Sequence, residues 1–317
     1  MNVANIRSIA LHGGLFLLTF LTTALAGVQW LNKDFLELTN FTLGVPYAVL
    51  LLLMLASHEF GHYIAARLHQ VDSTLPFFLP FPPFGFFVPF GTLGAVIKVR
   101  SAIPSRKATF DIGASGPIAG FVVSVVILII GFRTLPPIEY LYSIHPEYAQ
   151  LSAIPQEGLT FGRTIMFSLI ANAISPTGAF IPPMNEIYHY PFLCVGWFGM
   201  FVTALNLIPI GQLDGGHITF AMFGNTHHRI GQVSLVVLIV LGTLGFLPLI
   251  GWHTTIGWTG WLFWALVLAV FLRRALHSRP PLEDMTPLDP PRVVLGWVCI
   301  AIFLVSFSLV PFTLEMP

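Results

Sequence analysis

Two histidines four residues apart, with a glutamate after the first, stand at His58-Glu59-Phe60-Gly61-His62. On a helix this H-E-x-x-H spacing puts both imidazoles on one face as zinc ligands and sets the glutamate beside them as a base. The run before it, from Val45 to Ser57, carries no charge. Ionisable groups at membrane depth are costly and mark functional sites. A zinc hydrolase needs three protein ligands and an open position for water. Asp214 is the remaining intramembrane charge that stands out, in the stretch Asn206-Leu207-Ile208-Pro209-Ile210-Gly211-Gln212-Leu213-Asp214-Gly215-Gly216-His217. The implied chemistry is hydrolysis by metal-activated water, with Glu59 as general base and one Zn2+ per chain on His58, His62 and Asp214.

Such a centre must be positioned by apolar elements, and the composition supplies them. The 317 residues are 55% hydrophobic and 9% charged, with a mean hydropathy of +0.81. Soluble domains carry about 25% charged residues. The surface therefore faces a lipid bilayer. A net charge of zero gives no reason to invoke nucleic acid. Cys194 and Cys299 lie in apolar runs and read as small core residues. The expected fold is an α-helical polytopic membrane protein forming a single domain over 1–317. Its catalytic core lies at about 45–220, and additional helices occupy 229–312. About seven spans are expected, near 9–31, 45–67, 112–132, 192–212, 229–250, 255–272 and 293–312. The first reads as a retained helix, although Ala24-Leu25-Ala26 also fits a signal-peptide cleavage site. After the second span, Leu75 to Ile97 is dense in proline and glycine and cannot be a straight helix. A re-entrant loop or β-hairpin fits it. Phe161 to Phe180 reads as a short interfacial helix.

The basic residues divide unevenly between the two sides of this arrangement. Arg7, Arg67, Lys98, Arg100, Arg106, Lys107, Arg229, Arg273, Arg274, Arg279 and Arg292 fall on one side. Lys33, Arg133 and Arg163 fall on the other. By the positive-inside rule the first side is cytosolic, which places the N-terminus and the active site towards the cytosol of a cell (plasma) membrane protein. The second and fourth spans then run in the same direction, and Asp214 meets the histidines at matching depth.

His58-Glu59-x-x-His62 on a membrane helix, with Asn206-x-x-Pro209 shortly before Asp214-Gly215-Gly216, resembles the site-2 protease family of intramembrane zinc metalloproteases. Gly91-Thr92-Leu93-Gly94-Ala95, Arg106-Lys107 and Asp111-Ile112-Gly113-Ala114-Ser115-Gly116-Pro117-Ile118-Ala119-Gly120 are similar to its bacterial and plastid branch. No stretch resembles the PDZ or CBS domains of other relatives. The resemblance implies zinc on His58, His62 and Asp214, Glu59 as base, and a membrane-embedded protein substrate, in some members within regulated intramembrane proteolysis. It also implies that Asn206 helps hold substrate or the oxyanion, and that the strand around Gly91 and Gly94 pairs with unwound substrate. Read alone, Asn206 is a polar residue bonded between helices, Gly91 and Gly94 are packing or turn glycines, and His217 is a satisfied polar residue.

Two other functions compete. A divalent metal transporter would space its ligands along a path through both leaflets, whereas the polar groups here cluster near one face. A catalytically inactive membrane-binding homologue would not need Glu59. The substrate, the cleavage position and the oligomeric state are left open by the sequence.

Overall fold

The computed structural model describes residues 3–82, 90–252, 256–278 and 284–315. The chain is mainly helical, with ten α-helices among the described residues. These are α1 (Val3–Gln29), α2 (Phe41–Leu68), α3 (Arg106–Arg133), α4 (Ile138–Ile144), α5 (Ile165–Ile174), α6 (Pro191–Leu207), α7 (Asp214–Phe223), α8 (His227–Leu244), α9 (Gly260–Ser278) and α10 (Pro290–Ser306). Two antiparallel strand pairs accompany them, β1 (Phe77–Pro80) with β2 (Thr92–Val96) and β3 (Gly158–Phe161) with β4 (Phe312–Glu315).

Four helical stretches are long and apolar enough to cross a membrane: Arg7–Gln29, Leu38–Leu68, Arg106–Arg133 and Asp214–Ile250. Pro191–Leu207, Gly260–Val270 and Pro290–Ser306 are apolar but shorter. The expected fourth span, 192–212, is cut short. Helix α6 stops at Leu207, where Ile208 turns extended, Pro209 lacks an N–H and Gly211 adopts φ +60°. Asp214 is therefore the first residue of α7 and not the end of the preceding span.

Helix α2 ends for a local reason. Gln70 takes a left-handed φ of +58°, and the Val71 N–H reaches back to the Ala66 carbonyl at 2.8 Å, the six-to-one bond of a Schellman stop. Helix α3 begins at a Ser105 cap whose hydroxyl accepts from the Ala108 N–H at 3.0 Å. Helices α1 and α2 touch backbone to backbone where Gly27 faces Gly44, leaving no room for a Cβ on either. The main core is aromatic and aliphatic: Trp197, Phe198, Tyr47, Phe161 and Leu128 are fully buried. At the other end, Arg292 on α10 makes a two-pronged bond to Asp111 on α3, at 2.8 and 2.7 Å, and His69 joins the same carboxylate at 2.7 Å.

Within Leu75 to Ile97, residues 83–89 lie outside the described ones, including Pro83, Gly85 and Pro89. The flanks form the β1–β2 pair, in the register Phe77 to Val96 and Phe78 to Ala95. Phe161 to Phe180 contains the end of β3 and then α5, capped by the Thr164 hydroxyl.

Candidate metal centre and active site

Helix α2 carries His58, Glu59 and His62 within its last three turns, and all three are buried. The i, i+4 spacing stacks the two imidazoles on one face, with their Nε2 atoms 3.1 Å apart. Asp214 Oδ2 lies 3.4 Å from His58 Nε2 and 3.3 Å from His62 Nε2. A tetrahedron with metal–ligand bonds of 2.0–2.1 Å has edges of about 3.3 Å. The three atoms therefore already span one face of such a tetrahedron.

The protonation pattern agrees. His62 Nδ1 lies 2.6 Å from the Ile112 carbonyl oxygen, which can only accept. The proton of neutral His62 is then on Nδ1, and the Nε2 lone pair points at Asp214 and His58. A carbonyl that fixes the tautomer in this way is the usual support of a metal-binding histidine. Two imidazoles and one carboxylate suit zinc, so the residues present fit the ion.

Asp214 opens α7, and its carboxylate reaches both histidines from that first turn. Gly215 and Gly216 make this possible. A Cβ on either would strike the Leu207 or Gly211 backbone, so the turn folds back tightly and drops Asp214 beside α2.

Helix α3 supplies the wall behind the histidines. A Cβ at Gly116 would collide with the His62 ring, and one at Gly120 would sit 3.1 Å from His58 Nδ1. The Gly116-x-x-x-Gly120 spacing is the small-residue signature of close helix approach and is visible in the sequence. Its effect here, to clear space for the His58 and His62 side chains, emerges only from the packing. The Ile112 carbonyl has no sequence signal at all.

His58, Glu59, His62 and Asp214 share a cavity of about 300 Å³ with Asn206, Ala95, Val96 and Ile97. Asn206 Nδ2 stands 3.3 Å from His58 Nε2, so its amide points at the centre from the last turn of α6. The Ile97 backbone amide, just beyond β2, meets the Glu59 carboxylate. His217 also borders the cavity, and its Cβ packs over Gly113. The two strand glycines are placed differently. Gly91, at φ +77°, lies against α1, and its carbonyl accepts the Thr22 hydroxyl at 2.7 Å. Gly94, at φ +100°, has open space where a side chain would be. Neither is among the cavity-lining residues.

Comparison with known proteins gives a consistent result. Residues 46–249 match peptidase family M50. The chain is 30% identical over 268 residues to the probable zinc metalloprotease EGY1, chloroplastic, of Arabidopsis thaliana, covering 84% of this chain and 43% of that protein. It is 28% identical over 277 residues to the protein of the same description from Oryza sativa subsp. japonica, covering 87% and 42%. It is 26% identical over 289 residues to the probable zinc metalloprotease EGY2, chloroplastic, of Arabidopsis thaliana, covering 90% and 46%. The chain thus spans less than half the length of these relatives.

Proposed function

The chain belongs to peptidase family M50, the site-2 protease family, and from that membership we propose that it is a zinc metalloendopeptidase acting on membrane-spanning protein substrates. The observation that carries this reading is the convergence of His58, His62 and Asp214 at 3.1–3.4 Å beside Glu59, among helices apolar enough for a bilayer. His58 Nε2, His62 Nε2 and Asp214 Oδ2 would hold zinc, which when bound supplies Lewis acidity and an acidified water. Glu59 accepts the proton of the attacking water and delivers it to the leaving amine. Asn206 aims its amide N–H at the oxygen of the scissile carbonyl as charge builds there.

A substrate helix locks its carbonyls in its own hydrogen bonds, so a turn must open before one reaches the centre. We assign the receiving role to β2, which pairs with β1 along one edge and has Ala95 and Val96 at the cavity. An opened substrate adds to this short sheet by β-augmentation. Gly94 leaves the strand surface clear, and Gly91 anchors its start against α1. Helix-breaking residues near the scissile bond should speed cleavage of a membrane-spanning test substrate, and their replacement by Leu should slow it. Ala95→Pro or Val96→Pro should reduce turnover more than zinc content, because one pairing N–H is lost and no ligand is touched. Unchanged turnover in both folded, zinc-loaded variants would make the strand mere scaffold.

We further infer that the active site lies towards the cytosolic face of the cell membrane, a reading supported by the uneven division of basic residues along the chain. Single cysteines near Arg67 and His217 should accordingly react with a membrane-impermeant label added from the cytosolic side. Reaction from the outside alone would invert the topology.

A further inference from the structure

A second group of ligand-type side chains converges at the opposite end of the helices. Asn206 marks the catalytic end of α6, whereas the second group lies just before its first residue, Pro191. At 1.5 Å per residue the helix separates the two by about 22 Å. Buried Leu51, Met54, Leu128 and Met200 occupy the intervening turns of α2, α3 and α6, so the two clusters are not stations on one polar path.

The group is His145, directly after α4, with Glu186 and His189 around the 3-10 turn Ile187–His189. Glu186 is 1% exposed and His189 0%. The Nε2 atoms of His145 and His189 are 3.0 Å apart. Glu186 Oε2 lies 3.3 Å from His189 Nε2 and 3.9 Å from His145 Nε2.

The outer atoms of both rings have acceptors as partners. His189 Nδ1 sits 2.5 Å from the Trp30 carbonyl oxygen, and His145 Nδ1 sits 3.0 Å from Glu147 Oε1. A carbonyl and a carboxylate offer only lone pairs, so each neutral ring carries its proton on Nδ1. Two Nε2 lone pairs then face a buried carboxylate oxygen that has no hydrogen-bond partner. Its sister, Glu186 Oε1, is fixed by Tyr148 and Asn185, each donating at 3.1 Å. Three electron-rich atoms pressed together repel one another unless a cation lies between them. Their separations bracket the tetrahedral edge of about 3.3 Å that the catalytic trio also matches.

We propose that His145, Glu186 and His189 form a second divalent-cation site, selective for zinc-type ions, at the end of the fold opposite the catalytic centre. Two imidazoles with one carboxylate favour such an ion over magnesium or calcium. Asn32 Nδ2 lies 3.1 Å from His145 Nε2, so its amide N–H borders the cluster and would have to swing aside for an ion to take that lone pair. Through Trp30 and Asn32 the ion ties the end of α1 to the loop between α3 and α6, so its role is to clamp that face. The histidine spacing follows no familiar motif, and His145 and His189 belong to separate turns that only the fold brings together.

The test is zinc stoichiometry of the purified full chain in detergent, stripped with chelator, reloaded with Zn2+ and dialysed. Wild type should retain two zinc ions per chain, and the His58→Ala/His62→Ala protein one. Adding Glu186→Gln or His145→Ala to that double variant should remove the remaining ion. Zinc should raise the Tm of the double variant, and Glu186→Gln should abolish that rise. His145 is the partly exposed member, so its replacement guards against a folding failure caused by the buried Glu186 or His189. One zinc in wild type, or a second zinc indifferent to both His145→Ala and Glu186→Gln, would overturn the proposal. Either result is independent of whether the catalytic site cleaves peptides.

Discussion

Glu59→Gln should leave zinc content at the wild-type level and reduce cleavage of a membrane-spanning substrate by at least about 10²–10⁴, the usual worth of general acid–base catalysis. The amide is nearly the size of the carboxylate, so the packing of α2 is undisturbed, but it cannot accept a proton. Glu59 is buried beside both histidines and touches the Ile97 amide without standing among the three converging ligand atoms. Its loss is therefore expected to separate chemistry from metal binding. Zinc content and product formation should be measured on the same preparation. Cleavage within about tenfold of wild type would mean that another base operates.

Asp214→Ala should strip the catalytic centre of zinc and with it all measurable cleavage. Two imidazoles would remain, and neither α3 nor α6 offers a replacement carboxylate to the cavity. Asp214→Asn should be nearly as damaging, because an amide oxygen gives a neutral and weaker ligand. The decisive measurement is zinc bound per chain after exhaustive dialysis, made in a protein whose second cluster is disabled by Glu186→Gln so that the two sites are not confused. Stoichiometric zinc in that Asp214→Ala protein would remove Asp214 from the ligand set. The turn from Pro209 to Gly216 makes a purely structural explanation checkable. If Asp214→Ala merely loosened α7, Asp214→Glu would restore the fold without restoring the 3.3–3.4 Å ligand spacing.

The convergence of the two histidines was legible from their spacing. Two histidines four apart in a helix share a face whatever surrounds them, and a charged trio inside apolar runs has few other reasons to exist. Asp214 stands out in the sequence as the remaining intramembrane charge, the shared direction of the second and fourth apolar runs puts it at the depth of the histidines, and the structure brings its carboxylate to 3.3–3.4 Å from them. The helix end lies elsewhere than the apolar run implies, because hydropathy does not register that Pro209 and Gly211 break the backbone into α6, a tight turn and α7. The span count met the same difficulty, since α6 and α10 are apolar but only 17 residues long.

What the sequence determined by itself is therefore local: His58, Glu59 and His62 close together on one helix, the apolar character of the chain, and the glycine spacing that lets α3 approach α2. Helical periodicity and composition act over a few residues and are written in the chain directly. Only the tertiary structure decided which long-range partners complete each site. The Ile112 carbonyl orients His62, the end of β2 meets Glu59, and Trp30 orients His189 beside Glu186. The physical reason is that backbone carbonyls and amides are the same in every residue. Their role as hydrogen-bond partners is set by where packing places them, and side-chain identity carries no trace of it.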